Sequence, residues 1–155
     1  MSNAGLWQRV LARMYFAWGQ SCAYWGNKTV SPRLYRWAVG AFDRALGHAP
    51  GWNQAQLRRA VVRGRELDDY TGAVRDLTAI IERDSEWAEP YLQRGLFLAY
   101  HGLAAAPQAI HDLERFLYLD ARHSWRGEAE HLLARLRAEL AERSDLLASA
   151  ARPAA

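Results

Sequence analysis

Apolar residues recur along most of the chain at intervals of three and four positions, which is the period of an amphipathic helix. Short polar or glycine- and proline-containing stretches interrupt this pattern. The last periodic segment, SWRGEAEHLLARLRAEL, places four leucines on one helical face and charged residues elsewhere. An alanine-rich segment follows it at 144–155, and we expect that segment to be a flexible tail. The predicted helices span residues 5–25, 32–47, 53–67, 70–83, 87–101, 107–119 and 124–143.

Three of these helices contain the same sequence pattern. Each copy starts at an alanine, has an apolar residue four positions later and another three positions after that, and ends twelve positions after the alanine. The starting alanines, Ala38, Ala73 and Ala109, are 35 and 36 residues apart. This separation indicates a helical repeat of about 34 residues. The three segments read AVGAFDRALGHAP, AVRDLTAIIERDS and AIHDLERFLYLDA.

A second pattern precedes each of these segments. Its central small residue, Gly19, Ala60 or Gly95, allows the paired helix to approach closely. Two copies end in glycine, Gly26 and Gly102, and we expect these glycines to end the helix because glycine readily adopts left-handed geometry. The three copies read YFAWGQSCAYWG, QLRRAVVR and YLQRGLFLAYHG.

The two patterns, in this order and at this period, resemble the tetratricopeptide repeat (TPR) family over about residues 12–121. The resemblance implies an all-α fold, a right-handed superhelical solenoid of antiparallel helix pairs. We predict a single domain at 1–143. Its parts are repeats at 12–52, 53–87 and 88–123 and a capping helix at 124–143.

The chain departs from the family pattern in its first two repeats. The second has polar Gln56, Arg59 and Arg63 where bulky apolar residues are usual. The first has seven additional residues between Gly26 and Ala38. Seven residues make about two helical turns, so we expect the insertion to lengthen the second helix without rotating its apolar face.

Composition supports a helical protein and adds a charge gradient. The chain has 28 Ala and 20 Leu against 12 Val, Ile and Thr combined, which favours helix over strand. The net charge of +3 conceals +9 in residues 1–65, where Asp43 is the single acid, and −6 in residues 66–155. Such a gradient predicts that an acidic partner approaches the N-terminal end.

No motif in the sequence indicates catalysis, a metal or a cofactor. The five histidines lack the paired spacing of a zinc-binding helix, and no phosphate loop or nucleophile elbow is present. One cysteine, Cys22, forms no internal disulfide and fits a reducing compartment. No stretch is apolar enough for a membrane span or a secretory signal. We therefore predict a non-catalytic cytoplasmic protein without cofactor or metal.

Aromatic residues are concentrated at the N-terminus and near the repeat junctions. Trp52, Trp87 and Trp125 each precede a first helix, so we predict a structural role for them. The N-terminal helix carries an apolar series at helical spacing, and we favour burial of that face in the solenoid. The alternative is docking on a membrane surface or a partner, aided by Arg9 and Arg13. The series is Trp7, Val10, Leu11, Met14, Tyr15, Trp18, Cys22 and Trp25.

The resemblance further implies a concave groove lined by the first helix of each pair. Family members that grip chaperone carboxylates use Lys and Asn there, whereas this chain offers a single suitable residue, Arg58. We predict an apolar, aromatic groove with a basic edge that binds a peptide or amphipathic helix of a protein partner. An alternative is that several of these side chains pack into the core. The predicted lining is Arg13, Phe16, Gln20, Tyr24, Gln54, Leu57, Arg58, Val61, Arg65, Glu89, Leu92, Gln93, Leu96 and Tyr100.

Three further alternatives remain open from the sequence. The charge gradient allows head-to-tail assembly into a homo-oligomer. The basic N-terminal half allows contact with an anionic membrane or, less favoured, with nucleic acid. The arginines at 58, 59, 63 and 65 either bind a partner or form internal ion pairs with Asp68, Asp69 and Asp76.

Overall fold

The computed structural model describes residues 3–100 and 104–150. Over these ranges the chain forms seven α-helices and no strand. It divides into two compact units, Met1–Asp84 and Ser85–Ala155. The helices are α1 (Asn3–Thr29), α2 (Pro32–His48), α3 (Asn53–Glu66), α4 (Tyr70–Arg83), α5 (Ala88–Tyr100), α6 (Ala106–Leu119) and α7 (Arg126–Ala150).

In the first unit, α1 packs on α2, α2 on α3, and α3 on α4. Phe42 of α2 lies at the centre of the core, fully buried beside Cys22 and Val62. A Cβ atom on Gly19 would lie 2.7 Å from the Phe42 ring. The predicted close helix–helix approach at Gly19 is therefore confirmed, because only glycine leaves room for that ring.

The predicted end of the first helix was wrong. α1 continues past Gly26 to Thr29, and a Cβ atom on Gly26 would lie 2.7 Å from the ring of Tyr35. Gly26 thus provides a second close contact with α2 and does not end the helix. The chain leaves the helix at Val30, whose φ is 49°. Gly102 lies outside the described residues.

The seven-residue insertion lengthens both helices of the first pair, whereas we expected it in the second helix alone. α1 continues ten residues past Gly19, against six past Ala60 in α3. α2 begins six residues before Ala38, against three before Ala73 in α4. The predicted start of this helix at residue 32 is confirmed, since Pro32 is the first residue of α2. Ser31 occupies the N-cap position, although its side chain makes no capping hydrogen bond.

In the second unit, α6 packs on both α5 and α7. Leu113 and Phe116 of α6 are fully buried, and a Cβ atom on Gly95 would lie 3.1 Å from Leu113. From α7, Leu133 and Leu136 are buried. α7 continues seven residues beyond its predicted end, to Ala150, so the expected tail is helical over 144–150. Residues 151–155 lie outside the described residues.

Arginine–aspartate pairs join the two helices of the later repeats. Arg59 donates to both carboxylate oxygens of buried Asp76 at 2.8 and 2.5 Å, and Arg63 donates to Asp76 at 3.0 Å. Arg59 also reaches Asp43 at 2.6 Å, a partner that the sequence analysis did not name. Burial alone would lower the pKa of Arg59, but the hydrogen bonds and charges of Asp76 and Asp43 raise it.

Two predicted partners in the α3–α4 turn are placed differently. Asp69 caps α4 by accepting a hydrogen bond from the Gly72 amide at 2.9 Å, and it also lies 3.6 Å from Arg63. Asp68 instead accepts a hydrogen bond from the Tyr70 hydroxyl at 3.1 Å. Of the two alternatives left open for these arginines, the structure shows internal ion pairs of Arg59 and Arg63 with Asp76, and of Arg63 also with Asp69.

Candidate functional site

An open groove of about 410 Å³ lies between α1 and α3 in the first unit. Its α1 wall is formed by residues spaced three and four apart, so they project on the same side of the helix. Tyr24 is the largest of them and is more than half exposed. The Lys28 ammonium lies 5.7 Å from the centre of the Tyr24 ring. The α1 residues of the groove are Gln20, Ala23, Tyr24 and Asn27.

The opposite wall belongs to α3, and the floor is apolar. Val61 and Val62 present methyl groups, and the edge of the buried Phe42 ring contributes to the floor. Arg58 is exposed and has no hydrogen-bond or ion-pair partner among the described residues. Arg65 adds a second exposed guanidinium group. The groove thus combines an apolar floor with a positively charged rim.

Glu66 at the end of the groove has an internal role. Burial raises the pKa of Tyr35, and a hydrogen bond to the Glu66 carboxylate and its negative charge raise it further. This contact ties the end of α3 to α2 and occupies the one carboxylate that lines the groove. The lining also contains Arg58 and Arg65, and two arginines against this one carboxylate give the groove a net positive charge.

Five of the fourteen predicted lining residues meet in this groove: Gln20, Tyr24, Arg58, Val61 and Arg65. Phe16 lies deeper, with its ring centre 4.6 Å from that of Trp52 and 5.8 Å from that of Phe42.

Three further predicted residues of the first unit do not line the groove. Leu57 is buried, whereas Arg13 and Gln54 are exposed. The contact of Trp52 with Phe16 fits the structural role that we predicted for that tryptophan.

The five predicted residues of α5 belong to the second unit, where burial limits what a partner could touch. Leu92 is 1% exposed and Gln93 is also buried, so neither offers a free surface. Glu89 accepts a hydrogen bond from Gln93 at 3.0 Å and lies 3.7 Å from His123. Leu96 is half-buried. Tyr100 is 75% exposed.

Five groove residues are absent from the predicted lining: Ala23, Asn27, Phe42, Val62 and Glu66. Asn27 follows Ala23 by four positions, and this helical spacing could have revealed it. The family pattern ends the first helix before that position, whereas α1 continues to Thr29. Phe42 belongs to a second helix of a pair, which the resemblance does not assign to the lining.

The favoured burial of the N-terminal aromatic face is wrong for five of its eight residues. Cys22 is buried as expected, and burial raises its thiol pKa. The exposed residues are Val10, at 36%, and Trp7, Met14, Trp18 and Trp25, at between 57% and 66%. The aromatic face of α1 is therefore exposed to solvent over most of its length.

Within residues 3–100 and 104–150, no group of three or more potential metal-ligating side chains occurs. No described helix has the length and apolar character needed to cross a bilayer.

Comparisons with known proteins rest on the structure, since no family model and no curated protein matches the sequence. The TPR domain of Arabidopsis OM64 superposes with a TM-score of 0.71 at 21% identity, covering 85% of this chain and 98% of that one.

Two further TPR domains are similar. The TPR2B domain of yeast Sti1, solved in complex with pHsp70, has a TM-score of 0.69 at 18% identity and covers 84% of this chain and 98% of its own. The second TPR domain of human RPAP3, in complex with the HSP70 peptide SGPTIEEVD, has a TM-score of 0.62 at 19% identity. It covers 81% of this chain and 98% of its own. The all-α, repeat-based prediction is thereby confirmed, and the chain has the tetratricopeptide-repeat fold.

Proposed function

We propose that the protein is a non-catalytic scaffold or adaptor that binds a peptide or amphipathic helix of a partner protein in the α1–α3 groove. The observation that carries this proposal is the groove itself, where Tyr24 and Val61 flank an apolar floor beside the unpaired Arg58. Exposed aromatic and arginine side chains are the residue types that dominate binding energy at protein interfaces.

The lining indicates the chemistry of the bound segment. An aromatic or aliphatic side chain of the partner would contact Val61 and Val62, and a carboxylate nearby would pair with Arg58. The yeast Sti1 and human RPAP3 domains are themselves solved in complexes with Hsp70 or its peptide. These neighbours support a peptide as the kind of ligand.

The groove does not favour the same peptides as those neighbours. Family members that grip a chaperone carboxylate do so with Lys and Asn, and the corresponding positions of the first unit are Phe16, Gln20 and Arg58. Of these three, only Arg58 could pair with a terminal carboxylate. We therefore propose an internal apolar segment with flanking acidic residues as the ligand.

The experiment is selection of a random peptide library on the full-length protein, followed by measurement of Kd for the enriched peptides. We expect peptides that combine an aromatic or aliphatic residue with Asp or Glu. Substitutions Tyr24→Ala and Arg58→Glu should each weaken binding by about tenfold or more, as expected for exposed aromatic and arginine contacts. Neither substitution removes a core contact.

Two matched variants serve as controls. Arg75→Glu reverses an exposed arginine of α4 in the same unit, and Tyr118→Ala removes an exposed tyrosine of α6. Both should bind the selected peptides like the unmodified protein. Equal affinity of all four variants, or the absence of any enriched peptide, would refute the groove as the binding site.

A further inference from the structure

A second surface of the first unit carries solvent-exposed tryptophans that the groove does not use. At about 100° per residue, Trp7, Met14, Trp18 and Trp25 project within about 40° of one another on α1. All four side chains are more than half exposed. An aligned stripe of three indoles and a thioether in contact with water is costly for a protein, so something is expected to cover it.

Helix α2 contributes a further exposed tryptophan, Trp37, next to this stripe. Trp37 is 46% exposed and faces Trp18 and Trp25 across a shallow depression of about 430 Å³, floored by Leu34 and Cys22. We refer to Trp18, Trp25 and Trp37 as the tryptophan face. The depression is almost entirely apolar, which distinguishes it from the polar-edged groove on the other side of α1.

Comparison of the repeats with each other shows that this surface is specific to the first pair of helices. Arg59 and Arg94 occupy the same position of the second pattern, and each is held by an aspartate of the paired helix, Asp76 or Asp112. The corresponding residue of the first repeat is Trp18, which lies beside Ala41. Where the later repeats have an internal ion pair, the first repeat has an exposed indole.

Cationic side chains surround the tryptophan face. The Arg33 guanidinium lies 4.8 Å from the centre of the Trp37 ring, and exposed Arg36 and Arg44 border a depression shared with Trp18 and Trp37. These three arginines have no ion-pair partner among the described residues.

The nearest acidic residue along the chain does not neutralise them. Asp43 is the only Asp or Glu in residues 1–65, and it is engaged by Arg59 at 2.6 Å. The tryptophan face therefore has a net positive rim.

We propose that the tryptophan face docks on the surface of an anionic lipid bilayer. An indole combines an apolar body with a polar N–H group, and tryptophan is enriched at the boundary between acyl chains and headgroups. Arginines beside it are attracted to anionic headgroups. Docking of this kind is interfacial, with the indoles at the level of the headgroups.

Docking would leave the groove accessible. On α1, Gln20 lies about 160° from Trp18 around the helix axis, and Asn27 lies about 180° from it. A partner peptide could therefore occupy the groove while the tryptophan face contacts lipid. The two proposals concern opposite sides of α1, so either can fail without the other.

The test is co-sedimentation of the full-length protein with vesicles of equal parts phosphatidylcholine and phosphatidylserine, compared with vesicles of phosphatidylcholine alone. We expect binding to the anionic vesicles that weakens as salt is raised, because salt screens the arginines from the headgroups. Brominated lipids should quench tryptophan fluorescence in the bound protein, since the indoles enter the interface.

Two variants separate the contributions of the indoles and the charges. Trp18→Ser with Trp25→Ser should weaken vesicle binding by at least about tenfold through lost apolar burial. Arg33→Gln with Arg36→Gln and Arg44→Gln should weaken it by about a hundredfold, at roughly fivefold for each arginine. Trp125→Ser, a change of a comparably exposed tryptophan in the second unit, should leave binding unchanged.

Circular dichroism would first establish that each variant is folded. Failure of the folded wild-type protein to bind anionic vesicles at low salt would overturn the proposal. So would equal binding by the double tryptophan variant. If sedimentation in the absence of lipid shows a dimer that the tryptophan substitutions dissociate, a second copy covers the face and the lipid proposal is wrong.

Discussion

At the scale of single residues, buried charge is the feature that departs most from an apolar repeat core. Asp76 is 4% exposed and accepts hydrogen bonds from Arg59, Arg63 and, at 3.4 Å, Gln56. Each of its oxygen atoms is therefore satisfied by a donor of α3. Removal of Asp76 takes away the one buried counter-charge of Arg59 and Arg63 and leaves them with exposed acidic partners, Asp43 for both and Asp69 for Arg63. The cost of leaving these partly buried guanidinium groups less well paired exceeds the stability gained from the pair.

We accordingly predict that Asp76→Ala lowers the free energy of unfolding by about 3–5 kcal/mol, the usual cost of breaking a buried ion pair. Arg59→Leu combined with Asp76→Ala should recover part of this loss, because both charges are then replaced by apolar groups. The first repeat already has Trp18 and Ala41 at the equivalent positions. Urea denaturation measures both variants.

The control for this prediction is Asp145→Ala, an exposed aspartate of α7, which should change stability by less than about 0.5 kcal/mol. If the double variant is as unstable as Asp76→Ala alone, the explanation is contradicted. The lost stability would then not come from the Arg59 charge that Asp76 no longer balances.

At the scale of elements, the first helix pair is determined by close contact and by its connecting turn. Gly19 and Gly26 bring α1 against the rings of Phe42 and Tyr35, so the two longest helices of the first unit lie close along their shared length. The turn between them contains Val30 in left-handed backbone geometry. Both features follow from backbone constraints and can be tested by single substitutions.

Gly19→Ala should destabilise the protein by about 1–3 kcal/mol, because the added Cβ atom would lie 2.7 Å from a fully buried ring. Gly40→Ala is the matched control, since that helical glycine of α2 has no atom within 4 Å of the added Cβ. It should stabilise the protein by about 1 kcal/mol through helix propensity alone. Thermal unfolding followed by circular dichroism distinguishes the two variants. Shifts of Tm in the same direction would contradict the close approach of Gly19 to the Phe42 ring.

Val30→Gly should stabilise the protein by about 0.5–1 kcal/mol, because a β-branched residue is strained at positive φ. Val30 has a φ of 49° and is 79% exposed, so the substitution removes strain and no packing. Val10→Gly, within α1, should instead destabilise the protein by about 0.5–1 kcal/mol, because glycine is a poorer helix former than valine. Denaturation with urea measures the free energy of unfolding of both variants. Equal changes at the two positions would show that the left-handed geometry of Val30 is not a source of strain.

At the scale of the whole molecule, charge is distributed unevenly between the two units. Residues 1–84 contain twelve basic and seven acidic residues, a net charge of +5, whereas residues 85–155 contain eight and ten, a net charge of −2. Both proposed binding surfaces lie in the first unit. Long-range attraction would therefore favour acidic ligands at that unit.

If the proposed peptide binding is correct, its association rate should fall as salt rises, since screening weakens long-range attraction. Arg58→Glu should reduce this salt dependence, whereas Arg122→Glu, in the second unit, should leave the slope nearly unchanged. Stopped-flow fluorescence with a selected acidic peptide measures the rate. An association rate independent of salt would contradict electrostatic steering by the first unit.

The sequence by itself determined the helical repeat, because local spacing of small and apolar residues is sufficient to indicate paired helices. It also offered the ion pairs of Arg59 and Arg63 with Asp76 as one of two alternatives, and the family resemblance supplied five of the residues that meet in the groove. The ion pairs depend on neighbours within one helix pair, whereas the groove lies between the first helices of two pairs.

Only the tertiary structure decided which faces remain exposed. Trp18 and Cys22 belong to the same apolar series and lie four residues apart on α1, yet the first is exposed and the second is buried. Leu92 had the spacing of a groove residue and is buried. Helical periodicity shows which residues share a face, but burial depends on which other elements cover that face, and those are distant in the sequence.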